Sequence, residues 1–518
     1  MSKQCDLLIT NASIINGDGS PAFMGSIAVS GDEIVAIGDG AVGYSATRTI
    51  DAAGRYVTPG FVDIHTHIDI DMGGLMFGVL SDRYLENMVR QGITTAIGGN
   101  CGYSGLEIGK FIDTLNEGKC GCNVGVLAGH GMMRIAAMGM ENRAPTPAEL
   151  ERMKGMTRKA MDEGAFGLST GLGYAPGNYS DVEELVPLCE IVKEYDGLYT
   201  SHIRNQDRKV RESWQEIIEL GRKSGARVHI SHFQVIGEEC WGAAPELIDM
   251  LNAAREEGIC ITGDTFPYEG AGWSIVGVLI PNWVQAGGGP QGTENLAMKA
   301  RLRDPELLPK IRAEILDTLS LRGNAEGILI LNGGELQELN NRFLSEIAAA
   351  WGMEPVDAVI KIALETSGVE CTGFQCCFED KRKFFESPYC SVASDANSAL
   401  VNVITHTPTQ PRMFGCFPRF IQTYVKETPV FTLEEAVRKM TSLPADTMGI
   451  KGRGLLAVGN KADIVIMDYD KVADNAQYTD TLHFPSGIDT VVINGKVAVL
   501  DGVHQKIMSG IGLRYSGR

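Results

Sequence analysis

Eight short apolar runs recur through the middle of the chain, and each ends in glycine, asparagine, threonine, histidine or aspartate. The runs lie near 62–67, 94–100, 124–130, 167–170, 198–202, 228–232, 260–264 and 391–395. Helical segments separate several of them; in one, Val210, Trp214 and Ile217 form an apolar stripe that Gly225 closes. Strands alternating with helices predict parallel βα units, and eight such units close a TIM barrel. We therefore expect an α/β chain whose active site lies at the carboxyl ends of the barrel strands.

Both ends of the chain have a different pattern from the middle. Asn16-Gly17 and Gly31-Asp32 are turn pairs among apolar runs near the beginning, and Asn494-Gly495 separates two apolar runs near the end. Asparagine followed by glycine between apolar runs predicts a β-hairpin. We expect residues 1–58 and 446–518 to form one small β-sandwich domain, and residues 59–445 to form the TIM-barrel catalytic domain.

The stretch between the seventh and eighth strand runs is too long for a single helical crossover. We expect an inserted subdomain at about 276–345. The sequence leaves open whether this insertion is a lid over the site or a purely structural excursion.

Charge and cysteine usage exclude several classes of protein. Lys and Arg number 46 against 65 Asp and Glu, and the formal net charge of −19 repels a nucleic-acid backbone or an anionic membrane. The twelve cysteines lack the spacing of a disulfide framework, which is typical of a reducing compartment. We find no signal-peptide pattern and no apolar run long enough to span a bilayer. We expect a cytoplasmic protein that acts on a small molecule, without a nucleic-acid or membrane partner; its oligomeric state is left open.

Four histidines and one cysteine follow strand runs at the edge where a barrel keeps its site. His65 and His67 are two residues apart, so both imidazoles of an extended chain point to one side. Cys101 follows the second run; it is either a strong thiolate ligand or a small buried residue. His202 and His232 close the fifth and sixth runs. Imidazole and thiolate donors suit zinc, so we expect these five residues to be metal ligands.

Three further polar residues lie at or near strand ends. Asp395 ends the eighth run, where a carboxylate can take a proton from a metal-bound water and deliver it to a leaving nitrogen. We expect Asp395 to be the general acid/base, its alternative role being a helix N-cap. His130 either shapes the site or packs, and His229 faces away from His232 and is expected to pack or form hydrogen bonds.

This ordered set of residues resembles the amidohydrolase superfamily, and within it the N-acyl-D-amino-acid deacylase (D-aminoacylase) branch. The resemblance runs over nearly the whole chain. Its other motifs are Gly167-Leu168-Ser169-Thr170-Gly171-Leu172, Gly452-Arg453-Gly454-Leu455 and the segment from Pro411 to Arg419. Many superfamily members bridge their metals with a carboxylated lysine on the fourth strand, and this chain has no lysine there. The resemblance implies zinc-dependent hydrolysis of N-acyl-D-amino acids to a carboxylate and a D-amino acid, by attack of metal-bound water.

The resemblance also implies a division of the ligands and a set of substrate contacts. Cys101, His202 and His232 would hold a tight zinc ion, whereas His65 and His67 would hold a second, weaker site whose occupancy is left open. The substrate-binding positions that match the family are Tyr174, Tyr268 and Arg412. An arginine fork suits a carboxylate.

Three departures from the family pattern concern the substrate. The family often has lysine where this chain has Gln234, and histidine where it has Gln410. Glu269 and Trp273 are also unusual near a pocket. The alternative function is therefore a cyclic-amide hydrolase, similar to the hydantoinases, or a dipeptidase that uses the same metal centre. A metal-binding protein without catalysis is disfavoured, because every expected ligand and Asp395 are present.

Overall fold

The computed structural model describes residues 3–69, 82–287, 295–366, 368–398 and 409–517. The helices in these ranges are Glu86–Val89, Ile108–Gly118, His130–Met138, Pro147–Asp162, Val182–Glu194, Val210–Ser224, Ala244–Glu256, Ile275–Leu279, Asn282–Gln285, Leu296–Leu302, Leu308–Leu321, Leu344–Trp351, Pro355–Glu365, Phe378–Glu386, Arg412–Ile421, Leu433–Met440 and Ser442–Met448.

Parallel strands in the middle of the chain form the barrel. One sheet contains Phe61–Asp63, Ile93–Gly98 and Asn123–Val126, in that order. A second contains, in order, Ala128–Gly129, Gly167–Gly171, Leu198–His202, Arg227–Ile230, Ile261–Thr265 and Cys390–Val392. The last strand returns to the first, since the Asp395 N–H donates to the His65 carbonyl at 2.9 Å. Just beyond, the short strands Thr66–His67 and Ala396–Asn397 pair in parallel. The predicted TIM barrel is confirmed, and each predicted run contains a barrel strand.

Local sequence signals explain where the barrel helices begin and end. The helix Val210–Ser224 buries the side chains of Trp214 and Ile217 and ends at Gly225, whose φ of 66° is left-handed. The helix Pro147–Asp162 begins with a capping box, in which the Glu149 carboxylate accepts a hydrogen bond from the Thr146 N–H at 2.7 Å. The helix Val210–Ser224 lies where the sequence predicts it.

Strands from both ends of the chain form one nine-stranded sheet. Its members are Lys3–Ile14, Phe23–Ser30, Glu33–Ile37, Tyr44–Asp51, Tyr56–Pro59, Ile464–Met467, Ile488–Ile493, Lys496–Leu500 and Val503–His504. The predicted hairpin at Asn494 and Gly495 is confirmed, and both residues have positive φ, 47° and 74°, as a tight two-residue turn requires. The sheet joins the two termini, since Tyr56–Pro59 pairs with Ile464–Met467.

The insertion between the seventh and eighth barrel strands has its own sheet and its own core. The sheet contains Gly270–Ser274, Glu370–Phe374, Ile328–Asn332 and Arg342–Phe343. A separate cluster of buried apolar residues begins at Ile275 and ends at Cys371. This unit is longer than the expected 276–345, and the exact division of the chain into domains stays a prediction.

Two further observations concern the whole described chain. All twelve cysteines are free thiols. Among the helices described, none combines the length and the apolar character that a bilayer crossing requires.

Candidate metal centre and active site

A cavity of about 740 Å³ lies at the carboxyl ends of the barrel strands, between the barrel and the insertion. The barrel contributes His67, Cys101, His202, His232 and Asp395 to its lining. The insertion contributes other lining residues, among them Trp273, Val278 and Arg322. The fold therefore brings side chains from five barrel strands to one water-accessible space.

Donor atoms converge at two points beside this cavity. His65, Cys101 and His232 each offer one ligand atom, and these atoms lie within 4.8 Å of one another; the same holds for His65, His67 and Asp395. Cys101 Sγ lies 3.4 Å from His65 Nε2 and 3.9 Å from His232 Nε2. His67 Nε2 lies 3.1 Å from Asp395 Oδ1. Ligands of a tetrahedral zinc ion, at about 2.0–2.3 Å from it, are roughly 3.3–3.8 Å apart, so the donor set fits this metal.

His202 lies beside the first donor group without belonging to it. Its ring centroid is 4.5 Å from that of His232, and its side chain lines the cavity. The ligand atoms that lie within 4.8 Å of one another belong to His65, Cys101 and His232. The resemblance implied His202 as the third member of this group. His65 joins the group because its Nε2 lies 3.4 Å from Cys101 Sγ.

The Cys101 thiol has the electrostatic environment of a metal ligand. Burial by itself would raise the pKa of this thiol, but the adjacent imidazoles of His65, His202 and His232 hold it well below its ordinary value. A thiolate is the form that binds zinc. The alternative in which Cys101 is only a small buried residue does not explain this cluster of imidazoles.

Three of the expected site residues have left-handed backbone conformations. The φ angles are 56° at Cys101, 37° at His232 and 51° at Asp395. Such conformations cost non-glycine residues about 1–3 kcal/mol and are held by the surrounding structure. Each follows a barrel strand, so the turn of the backbone at the strand end directs the side chain toward the donor cluster.

Asp264 contacts two of the expected metal ligands, and sequence reasoning did not identify it. Its Oδ2 lies 3.2 Å from His65 Nδ1 and 2.8 Å from His229 Nε2, while its Oδ1 accepts a hydrogen bond from the His232 N–H at 2.7 Å. Burial would raise the pKa of this carboxyl, but His65 and His229 lower it far below its usual range. A carboxylate that holds Nδ1 of a histidine leaves Nε2 for a metal. The signal in the sequence was an aspartate at the end of the seventh strand run.

Gln206 contacts Nδ1 of His232, the ring nitrogen opposite the one that faces Cys101. A side-chain nitrogen of Gln206 lies 2.8 Å from His232 Nδ1. The Gln234 amide donates to Gln206 Oε1 at 2.8 Å, and Cys376 Sγ donates to Gln234 Oε1 at 3.6 Å. Gln234, which replaces the cation common in the family, is thus part of a neutral network that orients His232.

Asp395 lies between an imidazole and a guanidinium. Its Oδ2 lies 3.0 Å from Nη1 of Arg412, and its Oδ1 lies 3.1 Å from His67 Nε2. Burial favours the protonated acid, but the charge of Arg412 and the hydrogen bond to His67 hold the pKa of Asp395 well below its ordinary value. The carboxylate is therefore in the form that can accept a proton.

The three expected substrate contacts have different locations. Arg412 and Tyr174 line the cavity, and the Tyr174 hydroxyl donates to the Cys101 carbonyl at 2.8 Å. Tyr268 is not among the lining residues: it is buried, and its hydroxyl donates to Asp474 at 2.8 Å. This hydrogen bond holds the Tyr268 hydroxyl at Asp474, and a contact between Tyr268 and the substrate stays a prediction.

Trp273, Glu269 and His130, which the sequence also singled out, lie in different places. Trp273 lines the cavity, as expected of a residue near the pocket, but Glu269 does not and instead lies 4.0 Å from Arg419. His130 is fully buried, and its Nε2 is 2.8 Å from Glu184, which also binds Arg134 at 3.1 Å. Of its two alternatives, His130 thus has the packing role.

Comparisons with known proteins agree with this architecture. The family model described as "Amidohydrolase family" matches residues 48–239 and 390–499, more than half of the chain. An N-acyl-D-glutamate deacylase of Alcaligenes xylosoxydans xylosoxydans is 30% identical over 96% of this chain and 94% of its own length. A D-aminoacylase of the same organism is 28% identical over 95% of this chain and 94% of its own length.

Solved structures give the same result. The crystal structure of N-acyl-D-glutamate deacylase from Bordetella bronchiseptica, complexed with zinc and a phosphonate inhibitor, has a TM-score of 0.81 and 30% identity, covering 99% of this chain and 100% of that one. A D-aminoacylase structure has a TM-score of 0.82 at 26% identity, covering 98% of this chain and 100% of its own; it has a binuclear metal centre with one-metal activation and second-metal attenuation. A D-hydantoinase from Thermus sp., at 17% identity and a TM-score of 0.59, covers 99% of each chain and shares the fold. With this similarity along its whole length and the barrel and donor cluster in place, the chain belongs to the amidohydrolase family.

Proposed function

We propose that this protein is a metal-dependent deacylase that hydrolyses the amide bond of N-acyl-D-amino acids to a carboxylate and a D-amino acid. One observation carries the proposal: a cluster of thiolate, imidazole and carboxylate donors at the barrel strand ends, in a chain similar over its whole length to such deacylases. The substrate is a small molecule, because the donor cluster lies beside a cavity of about 740 Å³.

The proposed metal ligands are His65, His67, Cys101, His202 and His232. A tight site would use Cys101, and the shared position of His65 supports a second, weaker site next to it. A bound zinc ion would polarise the acyl carbonyl and lower the pKa of water to about 7. Asp264 holds the His65 imidazole in position through its Nδ1 atom, which leaves Nε2 for the metal.

Asp395 is the proposed general acid/base. Its ionised carboxylate accepts a proton from the attacking water and then delivers a proton to the leaving amide nitrogen. Arg412, whose Nε has no hydrogen-bond partner among the described residues, is proposed to bind the α-carboxylate of the substrate. Tyr174 is placed to contact the substrate from the fourth strand.

The alternative function is hydrolysis of a cyclic amide or a dipeptide at the same centre. Relatives that bridge their metals with a lysine would need one on the fourth barrel strand, and the strand Gly167–Gly171 has none. No lysine is found among the residues that line the described cavity. Both observations favour the deacylase.

The test is amide hydrolysis by the zinc-loaded protein on N-acyl-D-amino acids, their L-enantiomers, hydantoins and dipeptides, with zinc per chain measured on the same sample. Turnover restricted to N-acyl-D-amino acids and lost on chelation is expected. Turnover of hydantoins or dipeptides alone would support the proposed metal centre and contradict the proposed substrate.

We also propose that the protein works in the cytoplasm. Its free thiols support this proposal, because the cytoplasm is a reducing compartment.

A further inference from the structure

One arginine that lines the cavity has no counter-ion among the residues that the structure describes. Arg322 follows the helix Leu308–Leu321 of the insertion and lines the cavity. Its Nη1 donates to the neutral Gln375 side chain at 2.8 Å, and its buried Nε has no hydrogen-bond partner within the described ranges of the chain. No carboxylate of the described residues forms an ion pair with it. The other lining arginines differ, since Arg204 pairs with Glu216 at 2.8 Å and Arg412 with Asp395 at 3.0 Å.

The surroundings make this isolated charge unfavourable in the free protein. Burial lowers the pKa of Arg322, and the carboxylate of Asp207, which lines the same cavity, opposes that shift without forming an ion pair. The guanidinium carbon is 6.0 Å from the centre of the Trp273 ring, which also lines the cavity. A buried guanidinium with donors to spare is stabilised by an anion that enters the cavity.

The positions of the cations indicate which anion this is. Arg412 lies beside Asp395 at the donor cluster, where the scissile amide and the neighbouring α-carboxylate must lie. Arg322 reaches the cavity from the insertion, on a different element. A substrate held by Arg412 through its α-carboxylate would therefore meet Arg322 with another group.

We propose that Arg322 binds a second carboxylate, on the side chain of the substrate, so that this deacylase prefers N-acyl-D-amino acids with acidic side chains. The inference rests on the proposed function. In this arrangement Arg322 is a specificity residue that contacts substrate away from the reacting atoms, and the insertion determines side-chain selectivity.

The experiment compares N-acetyl-D-glutamate with N-acetyl-D-glutamine, which have the same shape and differ in side-chain charge. Wild-type enzyme is expected to prefer the glutamate in kcat/KM by at least about tenfold, the value of one charged hydrogen bond. Arg322→Met should raise KM for the glutamate by roughly ten- to a hundredfold and raise KM for the glutamine by much less. Arg322→Lys should recover part of the preference, because it keeps the charge without the fork.

Lys310→Met is the matched control, because Lys310 is an exposed cation on the same helix and should leave both substrates unaffected. Two results together would assign Arg322 a structural role and overturn the inference. Arg322→Met would lose activity equally on both substrates, and Arg322→Lys would recover none of the preference for the glutamate. A wild-type enzyme that hydrolyses N-acetyl-D-amino acids without preferring the glutamate would overturn it too, while the proposed function stands. If the enzyme turned over no N-acyl-D-amino acid, the result would instead contradict the proposed function.

Discussion

Nδ1 of His65 lies 3.2 Å from the Asp264 carboxylate, which joins the first and seventh barrel strands. The same carboxylate accepts the His232 backbone N–H. One buried anion therefore fixes the ring of one candidate ligand and the backbone of another. This arrangement predicts that metal affinity depends on a residue that does not face the metal.

Asp264→Asn should weaken zinc binding by about 10–100-fold, because the amide is a poorer partner for the histidine than a carboxylate. Competition with a chromophoric chelator measures the dissociation constant. Asp249→Asn, at an exposed position on the helix Ala244–Glu256, is the control and should bind zinc as the wild type does. An unchanged affinity in Asp264→Asn would contradict the support that we assign to this carboxylate.

Asp395→Asn should lower kcat by about 10²–10⁴-fold, the usual contribution of a general acid/base. Steady-state kinetics on an N-acetyl-D-amino acid and metal analysis of the same sample provide the measurement. The tight site should keep its zinc, because the first donor group consists of His65, Cys101 and His232. Full turnover in this variant would exclude Asp395 from the proton transfers.

Removal of the metal should abolish activity, and added zinc should restore it. Cys101→Ala should hold less zinc per chain and stay inactive on reconstitution, because it lacks the thiolate of the donor cluster. Cys240→Ala is the control, since Cys240 is a partly exposed thiol outside that cluster. Activity that survives complete chelation would argue against a metal-dependent reaction.

Tyr268→Phe should leave KM unchanged and lower the free energy of unfolding by about 1 kcal/mol, because it removes one hydrogen bond to Asp474. Tyr174→Phe, in contrast, alters a hydroxyl at the cavity and should change KM. Kinetics and urea denaturation of the two variants separate the roles. A raised KM in Tyr268→Phe would indicate that Tyr268 contacts the substrate.

Glu184 should make the stability of the protein depend on pH. Burial would raise the pKa of its carboxyl, but the hydrogen bond with His130 and the charge of Arg134 lower it. A depressed folded pKa stabilises the protein above the unfolded value of about 4.3 and loses this contribution as the pH falls through the folded value.

Glu184→Gln should therefore reduce the free energy of unfolding by about 1–3 kcal/mol at neutral pH. The difference from wild type should shrink as the pH falls below about 4. Urea denaturation across this range provides the measurement, with Glu190→Gln, an exposed residue of the same helix Val182–Glu194, as the control. A difference that stays constant with pH would mean that the charge of Glu184 is not what stabilises the fold.

Much of the architecture follows from local patterns. Each barrel strand overlaps a short sequence run that ends in a polar residue, and the helix stripe that ends at Gly225 requires only the spacing of its neighbours in sequence. The position of Cys101 or Asp395 after such a run was enough to predict that its side chain reaches the site, because parallel strands end at one edge of the barrel.

Contacts between residues far apart in the sequence could not be predicted from local patterns. His65 and Asp264 are 199 residues apart, and Tyr268 and Asp474 are 206 apart. A strand end gives the side of the barrel on which a residue lies, but not the direction in which its side chain turns or the partner that it meets. The sequence by itself determined the barrel, the hairpin and the types of donor available. Only the tertiary structure decided that Asp264 contacts His65, that Tyr268 meets Asp474, and that Arg322 lines the cavity, because hydrogen-bond partners and buried charges are selected by packing between elements.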